Sequence, residues 1–319
     1  MPIVKSNFKA HFGFRSGFIS TVYSGLIRRL KIKQTRERIT LRDDDFIDLD
    51  WSYSSIPSKS VIILFHGLEG HGQRPYITGA ALHFNEQHID AICVNFRCCS
   101  GELNKYYTSY HSGKTDDVED IIKHVISLEK YDSIFLKGIS LGGSILLKYL
   151  GDGTVVPPQV KAAMAVSVPC DLSGSAKALH TLKNLPYHIN FKRGLVNRLK
   201  LKQKKFPEAI SKARIKTIKT LNDFDEVYTS RAHGFKNAQD YYDKCSSLQF
   251  LNAINTPVLI LNALNDSFLS EACYPYNEAK INPNVFLETP NHGGHVGFIS
   301  RNGYYYNETR ALDFFLECK

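Results

Sequence analysis

Short runs of consecutive apolar residues recur along the chain from residue 60 onward, and segments of helix length separate them. Runs that are apolar on successive positions are typical of strands covered on both faces of a parallel sheet. Their alternation with helices predicts right-handed βαβ units and a three-layer α/β fold with a mostly parallel sheet. The predicted strands are Val61–Phe65, Ala91–Phe96, Ser133–Lys137, Lys161–Ser167, Pro257–Ala263 and Asn284–Thr289, and the predicted helices are Lys114–Lys130, Leu141–Leu150, Ser270–Lys280 and Glu308–Glu317.

Two segments depart from this alternation. Glu37–Leu41 and Phe46–Trp51 alternate apolar and polar residues around a turn, which predicts an antiparallel hairpin at the edge of the sheet. Residues 171–244 have a helical pattern without a strand, and an insertion of this length is typical of a cap over the carboxyl ends of the strands. We therefore expect a basic N-terminal segment at 1–35, a core at 36–170 and 245–319, and a helical cap at 171–244.

Composition narrows the class of protein without identifying it. The 319 residues are 43% hydrophobic and 22% charged, which is ordinary for a globular protein and excludes collagen-like and disordered classes. No stretch of 18 apolar residues predicts a membrane span, and the N-terminus lacks the pattern of a signal peptide. Seven cysteines without a CxxC pair argue against a disulfide framework or a zinc site and favour a cytoplasmic location.

The positive charge is concentrated in two segments. The net charge is +9, yet residues 177–219 alone carry 13 Lys or Arg against a single Glu208. A second basic stretch covers residues 28–38. Such clusters favour peripheral contact with an anionic membrane or attraction of an acidic substrate, and the alternative is a solvated basic face. We expect no nucleic-acid partner, because no zinc-finger, RRM or helix-turn-helix pattern accompanies the charge.

The strongest chemical signal is a GxSxG sequence that follows one predicted strand and begins a helix. It runs from Gly138 through Ser140 and Leu141 to Gly142. In this context the serine lies on a sharp strand-to-helix turn, and its hydroxyl projects above the edge of the sheet. We predict that Ser140 is a nucleophile; the alternative is a tight turn whose serine has no catalytic role.

A serine nucleophile needs a base, and the base needs a carboxylate to orient it. His295 follows the last predicted strand in a glycine-flanked loop, and Asp266 follows the strand before it. The chain order Ser140, Asp266, His295 is that of the α/β-hydrolases. His292 is the rival base, and the alternative for Asp266 is that it ends its strand or caps the next helix.

Main-chain N–H groups complete the predicted site. The sequence HGLEG directly follows the strand that ends at Phe65, so the N–H of Leu68 pairs with that of Leu141 as the predicted oxyanion-binding groups. Neither a cofactor nor a metal is expected, because the sequence contains no Walker A, Rossmann or HExxH pattern. Cys98 and Cys99 are predicted to be buried filling residues rather than nucleophiles.

Six sequences in one order resemble the YheT-like branch of the α/β-hydrolases, a group that also contains eukaryotic membrane-associated lipid hydrolases and yeast acyl-ester synthases. They are HGLEG, NFRCCSGE, YHSG, GISLGGSILLKYLG, LNDSFLS and HGGHVGF, and the similarity runs from about Glu37 to the C-terminus. The resemblance implies the same triad and oxyanion residues. This chain departs from the branch in two places: Cys98 stands where the branch usually has glycine, and Asn265-Asp266 replaces two acidic residues.

The prediction is therefore an α/β-hydrolase with a helical cap that hydrolyses carboxylic esters, acting on acyl or lipid esters through an acyl-enzyme. An acyltransferase or thioesterase that uses acyl-CoA and the same triad is the alternative, and a catalytically silent binding scaffold is the third class. The expected ligand is a small acyl ester. The sequence identifies no obligate protein partner.

Overall fold

The computed structural model describes residues 2–300 and 305–318, and nine strands form one sheet within this part of the chain. Residues 301–304 and Lys319, which belong to the predicted core segment, lie outside it. The strands are β1 Ile3–Val4, β2 Thr35–Thr40, β3 Phe46–Ser52, β4 Ser60–Phe65, β5 Asp90–Asn95, β6 Ser133–Ile139, β7 Val160–Val166, β8 Val258–Leu261 and β9 Val285–Glu288. The helices are α1 Gly17–Val22, α2 Pro75–Glu86, α3 Thr115–Ser127, α4 Leu141–Gly151, α5 Leu172–Leu179, α6 Leu185–Lys205, α7 Lys212–Lys216, α8 Leu221–Phe224, α9 Ser230–Ala232, α10 Ala238–Cys245, α11 Tyr276–Ile281 and α12 Tyr306–Glu317.

The strand order β1-β9-β8-β7-β6-β4-β5-β3-β2 gives a mostly parallel sheet. Among the nine described strands, only the pairings of β3 with β2 and with β5 are antiparallel. This arrangement confirms the predicted α/β-hydrolase fold class. The six predicted parallel strands and the edge hairpin are present, and their ends differ from the prediction by one or two residues.

Alternate residues of each strand face opposite sides of the sheet, and each side has its own apolar core. On β4, Val61, Ile63 and Phe65 join a core with the apolar faces of α3 and α4. Ile62 and Leu64 join the other core with α2 and α12. Helices therefore cover both faces, which explains why the central strands are apolar on consecutive positions.

The prediction of helices was less accurate than that of strands. It omitted α2, although Ile77, Ala80, Ala81 and Phe84 have helical spacing and are fully buried. The predicted helix Ser270–Lys280 is wrong as one element. A 3-10 turn over Glu271–Cys273 ends before Pro275, and α11 begins after it, because proline does not continue a preceding helix.

Several arginines of the basic 28–38 stretch have internal partners. Arg36 pairs with Asp50 and Arg38 with Asp48, each at 2.7 Å from Nε to a carboxylate oxygen. Arg28 pairs with Glu308, with Nη2 and Oε2 3.0 Å apart. The stretch contributes less free charge than its composition suggests, so we do not retain it as a second site of membrane contact.

Residues 167–257, all described, contain only helical elements between β7 and β8. Helix α6 attaches this segment to the core, because Lys202 Nζ donates to the carbonyl oxygens of Tyr106, Tyr107 and Thr108 at 2.8–3.2 Å. None of the described helices is both long and apolar enough to span a lipid bilayer.

Candidate active site

Ser140 occupies the turn between β6 and α4. Its φ is +54°. A residue other than glycine adopts a positive φ of this kind only where the surrounding structure enforces it. Ser140 immediately precedes Leu141, the first residue of α4. The side chain therefore lies at a helix N-terminus, where main-chain N–H groups favour negative charge.

Two glycines allow α4 to approach the sheet this closely. A Cβ added at Gly138 would lie 2.6 Å from the Cα of Gly143, and one added at Gly142 would lie 2.5 Å from the carbonyl oxygens of Phe65 and His66. No side chain fits in either place. The glycines of the GxSxG sequence are thus required by the contact between the helix and the ends of β4 and β6.

The HGLEG loop after β4 lies directly beside Ser140. A Cβ added at Gly67 would be 3.0 Å from Ser140 Cβ and 3.5 Å from Ser140 Oγ. Leu68 follows Gly67, and both Leu68 and Leu141 line the same cavity as Ser140. The structure therefore brings the two predicted oxyanion-binding residues to the serine.

His66 holds this loop in place from the protein interior. Its Nε2 accepts the N–H of Phe96 at 3.2 Å, so its Nδ1 carries the proton and donates to the carbonyl oxygen of Gly67 at 2.8 Å. Burial lowers the pKa of His66 to about 3. The ring is a neutral structural group and not a candidate base.

His295 and Asp266 form a buried pair at the ends of the loops after β9 and β8. The distance from His295 Nδ1 to Asp266 Oδ2 is 2.8 Å. The other carboxylate oxygen of Asp266 accepts the N–H of Phe268 at 2.9 Å, and the ring of Phe268 stacks on His295 with centroids 4.3 Å apart. Asp266 thus orients the imidazole through Nδ1, so Nε2 is the nitrogen available for proton transfer.

His292, the rival base, lies elsewhere. Its Nδ1 is 3.2 Å from the carbonyl oxygen of Arg15, and it lines a shallow polar depression with residues of the N-terminal segment. His295 lines the cavity that contains Ser140, whereas His292 does not. The geometry therefore pairs Asp266 with His295.

The cavity above Ser140 has mainly apolar walls. One wall comes from the core and the other from helices α5, α6, α8 and α10 and from residues 225–229 that follow α8. Its apolar lining residues include Leu68, Leu141, Leu172, Leu179, Phe191, Leu195, Leu199, Leu221, Phe224 and Leu269. Such a lining suits an extended hydrocarbon group better than a charged one.

Sequence reasoning missed three charged residues of this cavity. Arg198 and Lys202 line it from α6, and Asp225 lines it from the residue after α8. The charge in residues 177–219 is not predicted from the sequence to have such a role. A local signal existed for the first two. They are four residues apart on α6 and flank Leu199, which together with Leu195 lies on the buried face of that helix.

The two departures from the resembled branch both have a structural explanation. Cys98 has a φ of +64°, which is the conformation that glycine adopts without strain. The Oδ1 atom of Asn265 accepts the N–H of Gly294 at 2.9 Å, and its Nδ2 donates to the carbonyl oxygen of Arg15 at 2.9 Å. An aspartate has no donor for the second of these bonds.

Cys99 is not suited to act as a nucleophile. Burial raises the pKa of Cys99 to about 12, which disfavours the thiolate that a nucleophile needs.

Comparison with known proteins identifies the family of this chain. Residues 60–301 match the family described as the alpha/beta hydrolase fold. YheT of Escherichia coli (strain K12) is 34% identical over 297 residues, which cover 90% of this chain and 85% of that protein. A phospholipase of Mus musculus, ABHD3, is 30% identical over 279 residues, or 84% of this chain and 67% of the relative.

A solved structure has the same fold. The Pyrococcus furiosus esterase Pf2001 superposes with a TM-score of 0.62 at 15% identity, over 92% of this chain and 95% of that one. The profile match and the identity to YheT each cover most of the chain. The chain belongs to the α/β-hydrolase fold family, in its YheT-like branch of esterase- and lipase-type carboxylic ester hydrolases.

Proposed function

We propose that this enzyme hydrolyses esters of apolar acyl groups, including lipid esters, through an acyl-enzyme on Ser140. The observation that carries this proposal is the meeting of Ser140 and His295 on the wall of one apolar cavity, with His295 paired to Asp266. Such an arrangement supplies a nucleophile, a base and an orienting carboxylate in one place.

In the first half-reaction Ser140 Oγ attacks the acyl carbon while His295 Nε2 takes the hydroxyl proton. Asp266 stabilises the imidazolium through Nδ1, and the main-chain N–H groups of Leu68 and Leu141 bind the oxyanion. The tetrahedral intermediate collapses, and the protonated His295 returns the proton to the leaving alcohol. Water, activated by the same imidazole, then attacks the acyl-enzyme and releases the acid.

The test is a panel of p-nitrophenyl esters from C2 to C16. Ser140→Ala should lose at least about a thousandfold in kcat and remain folded, because no acyl-enzyme forms. Ser144→Ala is the matched control, since Ser144 lies one turn further along α4 and its buried hydroxyl has no hydrogen-bond partner among the residues that the structure describes. A fluorophosphonate should label the wild type and the control but not Ser140→Ala. Retention of more than about a tenth of the rate by Ser140→Ala would contradict the assignment.

Water is the acyl acceptor that we propose, and the partition of products tests this choice. Addition of a short alcohol to the reaction should leave the free acid as the main product. An ester or a transacylated product in excess of the acid would instead identify an acyltransferase that uses the same triad.

We also propose that the outer face of α6 contacts an anionic lipid surface. Leu182 precedes the helix, and Leu185 and Ile189 share a face with it at spacings of three and four residues. Their exposed fractions are 88%, 44% and 50%. Lys183 and Arg193 flank them, so the face combines apolar and basic groups as membrane-surface helices do.

Co-sedimentation with vesicles tests this contact. Binding should rise with phosphatidylglycerol content and fall as salt is raised, because exposed charges are screened beyond about 10 Å at 0.1 M. The triple variant Leu182→Gln, Leu185→Gln, Ile189→Gln should lose binding and keep its activity on a soluble ester. Leu201→Gln, an exposed leucine elsewhere on α6, is the control. Equal recovery of the wild type in the supernatant with neutral and anionic vesicles would contradict the proposal.

A further inference from the structure

The loop that carries His295 has an unusual backbone. Gly294, Val296 and Phe298 all have positive φ, at +57°, +63° and +45°. A β-branched residue such as valine rarely adopts this conformation, and strained positions of this kind persist only where neighbouring groups fix them. The groups that fix this loop therefore also determine the position of the His295 imidazole.

Three consecutive main-chain N–H groups of this loop each donate a hydrogen bond to a side-chain oxygen. The N–H of Gly294 donates to Asn265 Oδ1 at 2.9 Å, and that of Val296 donates to Ser167 Oγ at 3.0 Å. The middle one belongs to His295 itself and donates to Thr21 Oγ1 at 2.8 Å. Thr21 lies on α1, outside residues 60–301 that match the hydrolase family.

The hydroxyl oxygen of Thr21 acts as the acceptor toward His295, because the hydroxyl proton is donated to another group. That proton is directed to the carbonyl oxygen of Gly17, 2.7 Å away within α1. Helix α1 also packs directly on the loop, because a Cβ added at Gly297 would lie 2.8 Å from the Cβ of Ser20 and one added at Gly294 would overlap the carbonyl group of Gly17.

We propose that Thr21 is a positioning residue, and that α1 sets the place of His295 relative to Ser140. This inference rests on the proposed role of His295 as the base. Loss of the Thr21 acceptor leaves the His295 N–H unpaired in a strained loop, so the ring populates positions from which proton transfer is slow. Small displacements of a catalytic group are known to lower rates by up to about a hundredfold.

The experiment compares Thr21→Val, Thr21→Ala and Thr21→Ser on a soluble p-nitrophenyl ester. The two variants without a hydroxyl should lose about tenfold in kcat with KM within about twofold, and Thr21→Ser should recover the wild-type rate. Thr309→Val is the matched control, because the Thr309 hydroxyl donates to a carbonyl three residues earlier in its own helix, α12, as that of Thr21 does in α1. Hydrogen exchange of residues 291–298 should accelerate in Thr21→Val and not in the control.

Two results would overturn the positioning role. One is a kcat of Thr21→Val and Thr21→Ala within about twofold of Thr309→Val. The other is failure of both hydroxyl-free variants to fold, which would assign Thr21 to global stability. His295→Ala separates the inference from the proposed function: wild-type activity in that variant overturns the function, whereas an inactive His295→Ala beside a normal Thr21→Val overturns only the role of Thr21.

Discussion

Arg198 on α6 forms an ion pair with Glu69, at 3.1 Å from Nη1 to Oε1, and both side chains are largely buried. Glu69 is the residue directly after Leu68, so the pair connects α6 to the loop beside Ser140. Burial raises the pKa of the Glu69 carboxyl, and the guanidinium of Arg198 opposes that rise. The Glu69 N–H also donates to Tyr110 OH at 3.0 Å, which fixes its main chain.

Arg198→Met should destabilise the protein by about 1–3 kcal/mol, because it removes the ion-pair partner of the largely buried Glu69 carboxylate. Thermal unfolding measures this change. Arg193→Met, an exposed arginine on the same helix, should have no measurable effect. The double variant Glu69→Gln, Arg198→Met should recover part of the loss, and the absence of any recovery would contradict the pairing as its cause.

His295→Ala and His292→Ala should differ strongly in hydrolysis. The first removes the imidazole that is paired to Asp266 and should reduce kcat by at least about a thousandfold. The second removes a ring whose contact is with the carbonyl oxygen of Arg15, and its activity should stay within about threefold of wild type. A larger loss in His292→Ala than in His295→Ala would mean that the base is the earlier histidine.

Gly142→Ala should disrupt the turn that presents Ser140. Its added methyl group would lie 2.5 Å from two carbonyl oxygens, which are main-chain atoms without freedom to move aside. We expect a loss of about 1–3 kcal/mol in the free energy of unfolding and a large loss of activity. Gly25→Ala is the control, since a Cβ there would meet no atom of the described residues within 4 Å. Wild-type activity in Gly142→Ala would show that the turn tolerates displacement of α4.

Asp225 gives the enzyme a pH-dependent stability. Its carboxylate accepts the hydroxyl groups of Thr229 and Tyr242, and burial raises its pKa from 3.8 to about 6. The folded form holds the Asp225 proton more tightly than the unfolded form. The resulting contribution to the free energy of unfolding is therefore full below about pH 4 and is lost as the pH rises through about 6.

The asparagine of Asp225→Asn does not titrate, so the free energy of unfolding of this variant minus that of wild type should increase as the pH rises from about 4 to about 7. The increase should be on the order of 3 kcal/mol at most. Unfolding curves at several pH values measure this difference. Asp243→Asn, an exposed position on α10, is the control. A constant difference between Asp225→Asn and wild type across this range would argue against a raised pKa at Asp225.

The parts that were predictable from sequence are those encoded by local patterns. The central strands are recognisable because they are buried on both faces, and Ser140, Asp266 and His295 each follow such a strand within a few residues. Thr21, Ser167 and Arg198 were not predicted to contribute to the site, because their roles depend on contacts across the fold. The bonds from the His295 loop to Ser167 and to Thr21 cross 129 and 274 residues. No local spacing encodes contacts of that range.

The separation between Thr21 and His295 also has a consequence for synthesis. Thr21 on helix α1 is translated 274 residues before His295 in the loop that the helix holds. Domains begin to fold from the N-terminus during translation, yet α1 has no loop to pack on until those 274 residues have been made. A nascent polypeptide released before this point carries Ser140 without an oriented imidazole, so hydrolytic activity should emerge only once the loop around His295 has left the ribosome.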